Sequence, residues 1–162
     1  MAFVRVFAAL LLLVGLSGCG AMMRGKEQAE RAVAEFRRQV DQGRFQDIYN
    51  ASGPELKQTA TEGEFTRMLG MVRDRLGAVR STEEQGWNVN VANGGTVVNL
   101  TYQTQFAAGP ATEQFIYRIE GERAVLIGYH VNSNALIGPA QAPEAPAAEE
   151  APPAPAEAEG GG

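Results

Sequence analysis

Apolar residues recur at helical spacing through the first half of the chain and at strand spacing through much of the second; the switch falls at Gly77. Ala29, Val33, Phe36 and Val40 stand at i, i+4, i+7 and i+11. That stripe predicts an amphipathic helix over 24–42, ended by Gly43. Phe45, Ile48 and Tyr49 predict a short second helix, broken at Ser52-Gly53-Pro54, and residues 55–60 add a further turn. Thr61 and Glu64, three apart, form a capping-box pair. They open a helix whose apolar stripe is Phe65, Met68, Leu69, Val72 and Leu76, with Gly77 in the C-cap place.

Beyond Gly77 the period is two. Trp87, Val89 and Val91 alternate with Asn88 and Asn90, and Asn93-Gly94-Gly95 suits a hairpin turn. Thr96, Val98, Leu100, Tyr102, Thr104 and Phe106 make one face of a long strand. Phe115, Tyr117 and Ile119 mark a third strand; Val125, Ile127, Tyr129 and Val131 mark a fourth, after the turn Glu120-Gly121-Glu122. Three helices followed by a four-stranded antiparallel meander predict an α+β domain, its helices covering the apolar face of the sheet. Strands this long twist and curl, so the expected shape is a half-open cone with a pocket at its wide end. Tyr49, Trp87, Tyr102, Tyr117 and Tyr129 are the aromatics expected to line or floor it, although each also fits ordinary core packing.

The N-terminus changes the picture most. Arg5 precedes an apolar run from Val6 to Leu16, and small residues lead into Cys19, the single cysteine of the 162-residue chain. A charged start, a short apolar segment and a small-residue exit are the parts of a secretory signal peptide. The run is about 11 residues, against roughly 20 needed to span a bilayer. Leu16-Ser17-Gly18-Cys19 resembles the lipobox of bacterial lipoproteins. The resemblance implies that residues 1–18 are removed, that Cys19 takes a diacylglyceryl group and a further acyl chain such as palmitate, and that the membrane is the partner. Gly20 after the cysteine then implies the outer membrane, facing the periplasm. With Cys19 so used, no thiol is left for a disulfide or a metal site. Residues 19–25 are expected to be the lipidated cysteine and a short linker, and 26–138 the domain.

Charge is divided unevenly. Residues 139–162 hold six of the eight prolines and five acidic residues (Glu144, Glu149, Glu150, Glu157, Glu159) with no basic ones. Such a segment buries too little to offset chain entropy, and it is expected to be disordered. A Pro/Ala-rich chain of this length reaches on the order of 70 Å when extended. Gly20–Gly138 carries 13 basic and 14 acidic residues, so the domain is close to neutral. No dense basic stripe addresses nucleic acid; Arg67, Arg73, Arg75 and Arg80 read as a solvated helix face plus one strand residue. One histidine and one acylated cysteine make no metal cluster, and no cofactor is expected.

The order of elements resembles the cystatin-like, NTF2-like α+β superfamily, and within it small bacterial envelope proteins with no assigned activity. The likeness covers roughly residues 26 to 133. It rests on Phe45-Gln46-Asp47-Ile48-Tyr49, Glu64-Phe65, Leu76-Gly77 with Val79-Arg80-Ser81, Leu100-Thr101-Tyr102, Glu113-Gln114-Phe115 and Gly128-Tyr129-His130. Some members are isomerases or dehydratases with an Asp, His or Tyr in the cone. Here the enzyme alternative, an isomerase or hydrolase type, would use His130 with Tyr129. If Tyr129 points inward, its neighbour His130 points out; Asp41 and Asp47 sit near helix ends, where capping explains them. No catalytic set assembles from sequence. The leading expectation is a non-enzymatic envelope lipoprotein that binds an envelope protein or a small apolar ligand. The remaining alternative is an assembly role for the acidic tail.

Overall fold

A computed structural model describes residues 17–92 and 95–137. The signal-peptide reading of residues 1–16, the turn residues Asn93 and Gly94, and the tail reading of 139–162 lie outside the described residues.

Four helices come first: α1 Ser17–Asp41, α2 Phe45–Ala51, α3 Pro54–Thr59 and α4 Glu62–Met71. α4 runs directly into a π-helical turn, Val72–Leu76. Then follow β1 Val79–Ala92, β2 Gly95–Phe106, β3 Gly109–Glu120, β4 Arg123–Asn132 and a last turn of helix, α5 Asn134–Ile137. The strands form one antiparallel sheet in the order β1-β2-β3-β4. The α+β architecture expected from the change of period is the one observed.

α1 lies along the sheet in the direction of β2. Near its start Gly25 faces Val98, Ile119 and Thr96, and a Cβ there would stand 3.6–3.8 Å from their side chains. Three turns on, Phe36 packs edge-on against Phe115, 5.2 Å between ring centres. The stripe Ala29, Val33, Phe36, Val40 is buried against Val98, Leu100, Phe115 and Tyr117. Burying one such side chain contributes about 1.5–3 kcal/mol. α1 also corrects an expectation. Residues 20–25 are helix rather than linker, so the chain runs into the domain without a flexible joint.

Thr61 caps α4 as predicted. Its hydroxyl accepts from the Glu64 N–H, and the Glu64 carboxylate accepts from the Thr61 N–H at 2.9 Å. Those bonds hold the Glu64 carboxyl below its ordinary value of 4.5. Their stabilisation is therefore present above about pH 4.5 and lost as pH falls through the lowered value. Thr61→Ala is expected to cost about 1 kcal/mol at pH 7 in urea unfolding, and the cost should shrink in acid below pH 4.

Gly77 takes φ +72°, with Ala107 Cβ 3.1 Å from where its own Cβ would be, and this lets the π turn swing into β1. Val72 and Leu76 then pack on Phe106 and Ala111 in a second, smaller cluster at that end of the sheet. β1 and β4 are the edge strands. The register of β1 shifts twice, around Arg80 and Gln85, and such bulges discourage pairing with a foreign strand. β4 is partly closed by the Gly53 N–H, which donates to Leu126 O at 2.8 Å. A further register shift opposes Ile116 to Gly128 and Tyr117 to Leu126. The bulge at Ile127 breaks the expected alternation of β4: Leu126, rather than Ile127, faces the helices beside Tyr117.

Candidate functional site

The inward rows of β2 and β3, apolar through their middle, carry a buried polar pair where Thr104 and Glu113 meet. Both are buried, Glu113 at 2 % exposure. A carboxylate taken out of water needs partners, and neighbouring elements supply them. From α1, Arg37 donates an Nη2 proton to Glu113 Oε2 at 2.9 Å and also lies 3.2 Å from Thr104 Oγ1. From β2, the Thr104 hydroxyl donates to Glu113 Oε2 at 2.6 Å. From β4, the Tyr129 hydroxyl donates to Glu113 Oε1 at 2.8 Å. The Arg37 guanidinium is also 4.9 Å from the centre of the Tyr102 ring and 5.6 Å from that of Phe115. The network thus ties α1 to β2, β3 and β4 through one buried charge pair.

Burial, with the charge of Glu113 and the hydrogen bond to it, pushes the Tyr129 hydroxyl well above its ordinary value of 10. Burial does the same to Tyr117. Tyr117 differs in that its hydroxyl is buried without a hydrogen-bond partner among the described residues. Such an orphan costs about 1–3 kcal/mol. Tyr117→Phe is therefore expected to leave the midpoint of thermal unfolding unchanged or raise it. A raised tyrosine stabilises fully below about pH 10 and loses that contribution as pH rises further, so the same variant should also lose less stability in alkali.

A cleft opens over Arg37, Glu113 and Tyr129, walled by Phe36, Val40, Val72, Val79 and Phe106. Its volume is about 20 Å³. That admits roughly one water molecule, far short of the several hundred Å³ of ordinary ligand pockets. Both oxygens of Glu113 already accept hydrogen bonds. Chemically, the Glu113 carboxylate is already partnered rather than presented to a substrate, while Arg37 Nε is buried without a hydrogen-bond partner among the described residues.

Of the four tyrosines and one tryptophan expected at a pocket, Tyr129 alone lines this cleft. Tyr102 and Tyr117 are core residues, Tyr117 stacked on Phe115 at 6.4 Å. Tyr49 packs on Phe65 and donates its hydroxyl to Ala60 O. Trp87, on edge strand β1, is 41 % exposed, with Lys26 Nζ 5.7 Å from its ring centre. These four do not line the cleft, and the core packing that the sequence also allowed describes Tyr49, Tyr102 and Tyr117. His130 is exposed and pairs with Gln114 on the outer face, whereas Tyr129 pairs with Phe115 on the inner one. The two groups that the enzyme alternative needs together are on opposite sides of the sheet. Among the described residues no group of three or more His, Cys, Asp and Glu is placed to hold a metal. Arg37 and Glu113 escaped the sequence reading as site residues. Glu113 was visible in one respect: it falls in phase with Phe115 and Tyr117, the wrong face for a lone charge.

Helices on one face of a four-stranded antiparallel open sheet, joined to it by an Arg–Glu pair, define the class: a small α+β domain. The chain belongs to the DUF4019 family, described as a protein of unknown function, which it matches over residues 32–129. That span contains Arg37, Thr104, Glu113 and Tyr129. No curated protein matches the chain.

Proposed function

We propose that this is a bacterial envelope lipoprotein, anchored through Cys19, whose cystatin-like or NTF2-like domain is a non-enzymatic interaction module. The observation that carries the reading is the single cysteine closing a signal-like apolar run at Leu16-Ser17-Gly18-Cys19. No helix among the described residues is long and apolar enough to cross a membrane, and a lipid hook supplies attachment without one. One acyl chain binds a bilayer only weakly, about 10⁴ M⁻¹; two or more hold stably. The filled interior supports recognition through the surface, by an envelope protein, in preference to a small apolar ligand held inside.

The test compares two binding modes on the anchored protein. Chemical cross-linking in native membranes should give discrete adducts with envelope proteins, while titration of fatty acids and other small apolar compounds leaves Trp87 fluorescence unchanged. Saturable binding of such a compound, with loss of the adducts, would overturn the surface reading.

A further inference from the structure

Six large hydrophobic side chains are exposed among the described residues, and four of them gather at one end of the domain. Met22 and Met23 lie on the first turns of α1. Val91, 70 % exposed, and Trp87 lie on β1. Their proximity follows from the packing. Gly25 sits on Thr96 and Val98, and β1 pairs Val91 with Thr96 and Val89 with Val98. Trp87 and Val91 are therefore on the helix face of the sheet, beside the start of α1, and Lys26 reaches Trp87 from one turn beyond Met22. α1 runs from this end along β2, so the residues before Gly25 lie toward the end of the sheet where Ala92 pairs with Gly95. Cys19 precedes Met22 by three residues, about 4.5 Å of helix.

We propose that this end of the domain rests on a phospholipid surface, with Met22, Met23, Trp87 and Val91 seated among the headgroups and upper acyl chains. The proposal rests on the lipoprotein reading and adds an orientation to it. The occupant is argued from the anchor: a helix that enters the domain with no linker leaves the patch within a turn of the acylated residue. Tryptophan suits that depth, because its ring is apolar and its N–H stays wet. The Lys26 ammonium lies over that ring, 5.7 Å from its centre, and is held by Glu30 and Glu84 at 2.5 and 2.9 Å. The nearby charges carry no positive excess, with Arg24, Lys26 and Arg31 against Glu27, Glu30, Glu84 and Glu122, so seating depends on apolar contact and not on anionic lipid.

The same orientation sets where the C-terminus leaves. Ser133 Oγ donates to Pro110 O at 2.8 Å, and Leu136 packs on the Leu76–Phe106 cluster. These lie at the far end of the sheet, ten residues of β2 from Thr96, or about 33 Å. The described chain therefore ends, at Ile137, well away from the lipid.

Trp87 is the single tryptophan, so fluorescence reports this end alone. The lipidated full-length protein is reconstituted into phosphatidylcholine vesicles with and without brominated acyl chains. Bromine should quench Trp87 at least twofold, equally with or without added anionic lipid. Val91→Glu should keep the protein on the vesicles and reduce the quenching. No quenching from a chain shown by mass spectrometry to carry lipid on Cys19 would overturn the seating while leaving the anchor intact. Shielding from aqueous acrylamide without bromine quenching would also overturn it, showing that a second copy covers the patch. A chain with no lipid on Cys19 fails the anchor reading itself.

Discussion

Cys19→Ser is expected to move the protein from the membrane pellet to the soluble fraction, with no change in its unfolding midpoint. On the lipoprotein reading the sulfur is the point of covalent attachment, and a hydroxyl in its place receives no diacylglyceryl group. Two or three acyl chains contribute about 0.8 kcal/mol for each buried CH₂. Their loss leaves the exposed apolar patch alone, which is too small to hold the domain permanently. The fold is unaffected because packing begins at Gly25 and Ala29, beyond the cysteine. Fractionation with parallel fatty-acid labelling reads the result. A Cys19→Ser chain still in the pellet after a carbonate wash would mean that something other than this residue attaches the protein.

Removing Glu113 should be the most destabilising single change in the domain. Glu113→Leu leaves the Arg37 guanidinium, 18 % exposed, facing Thr104 and two aromatic rings without its counter-charge, and leaves the Tyr129 hydroxyl without an acceptor. Breaking a buried pair from one side costs about 3–5 kcal/mol. That is a large share of the roughly 5–15 kcal/mol of a typical domain. For this size a loss of 3 kcal/mol lowers the thermal midpoint by roughly 10 °C. Glu113→Gln keeps an acceptor for Tyr129 and should lose less. Arg37→Met with Glu113→Leu should recover part of the loss, because neither charge is then stranded; a double-mutant cycle in urea measures that coupling. Equal and additive losses from both single variants would show that the pair is not one unit.

The elements were legible because each carries a local signal. The Thr61–Glu64 capping box, the stripe of α1 and the alternation of β2 all state their structure within a dozen residues. Gly77 and Gly121 stand at turns where φ is +72° and +62°. What failed depends on contacts distant in sequence. The early start of α1 comes from Gly25 resting on Thr96 and Ile119, which no helical stripe discloses. The bulge at Ile127 is set by pairing with β3, so a strict two-residue count put the wrong side chain inward. The pocket was inferred from a shape, and the cleft lined by Phe36, Arg37 and Val72 has a volume of only about 20 Å³. Arg37 lies one residue from the apolar stripe, where a charge is ordinary on a helix. Its partner is 76 residues away, and only the out-of-place charge of Glu113 hinted at it.

The mass of the N-terminal peptide, taken from mature protein purified out of its own membranes, bears most directly on the account. It should begin at Cys19 and exceed the bare peptide by a diacylglyceryl group with or without a further acyl chain. A free thiol at position 19, in a chain that still begins upstream of it, would contradict the account at its root.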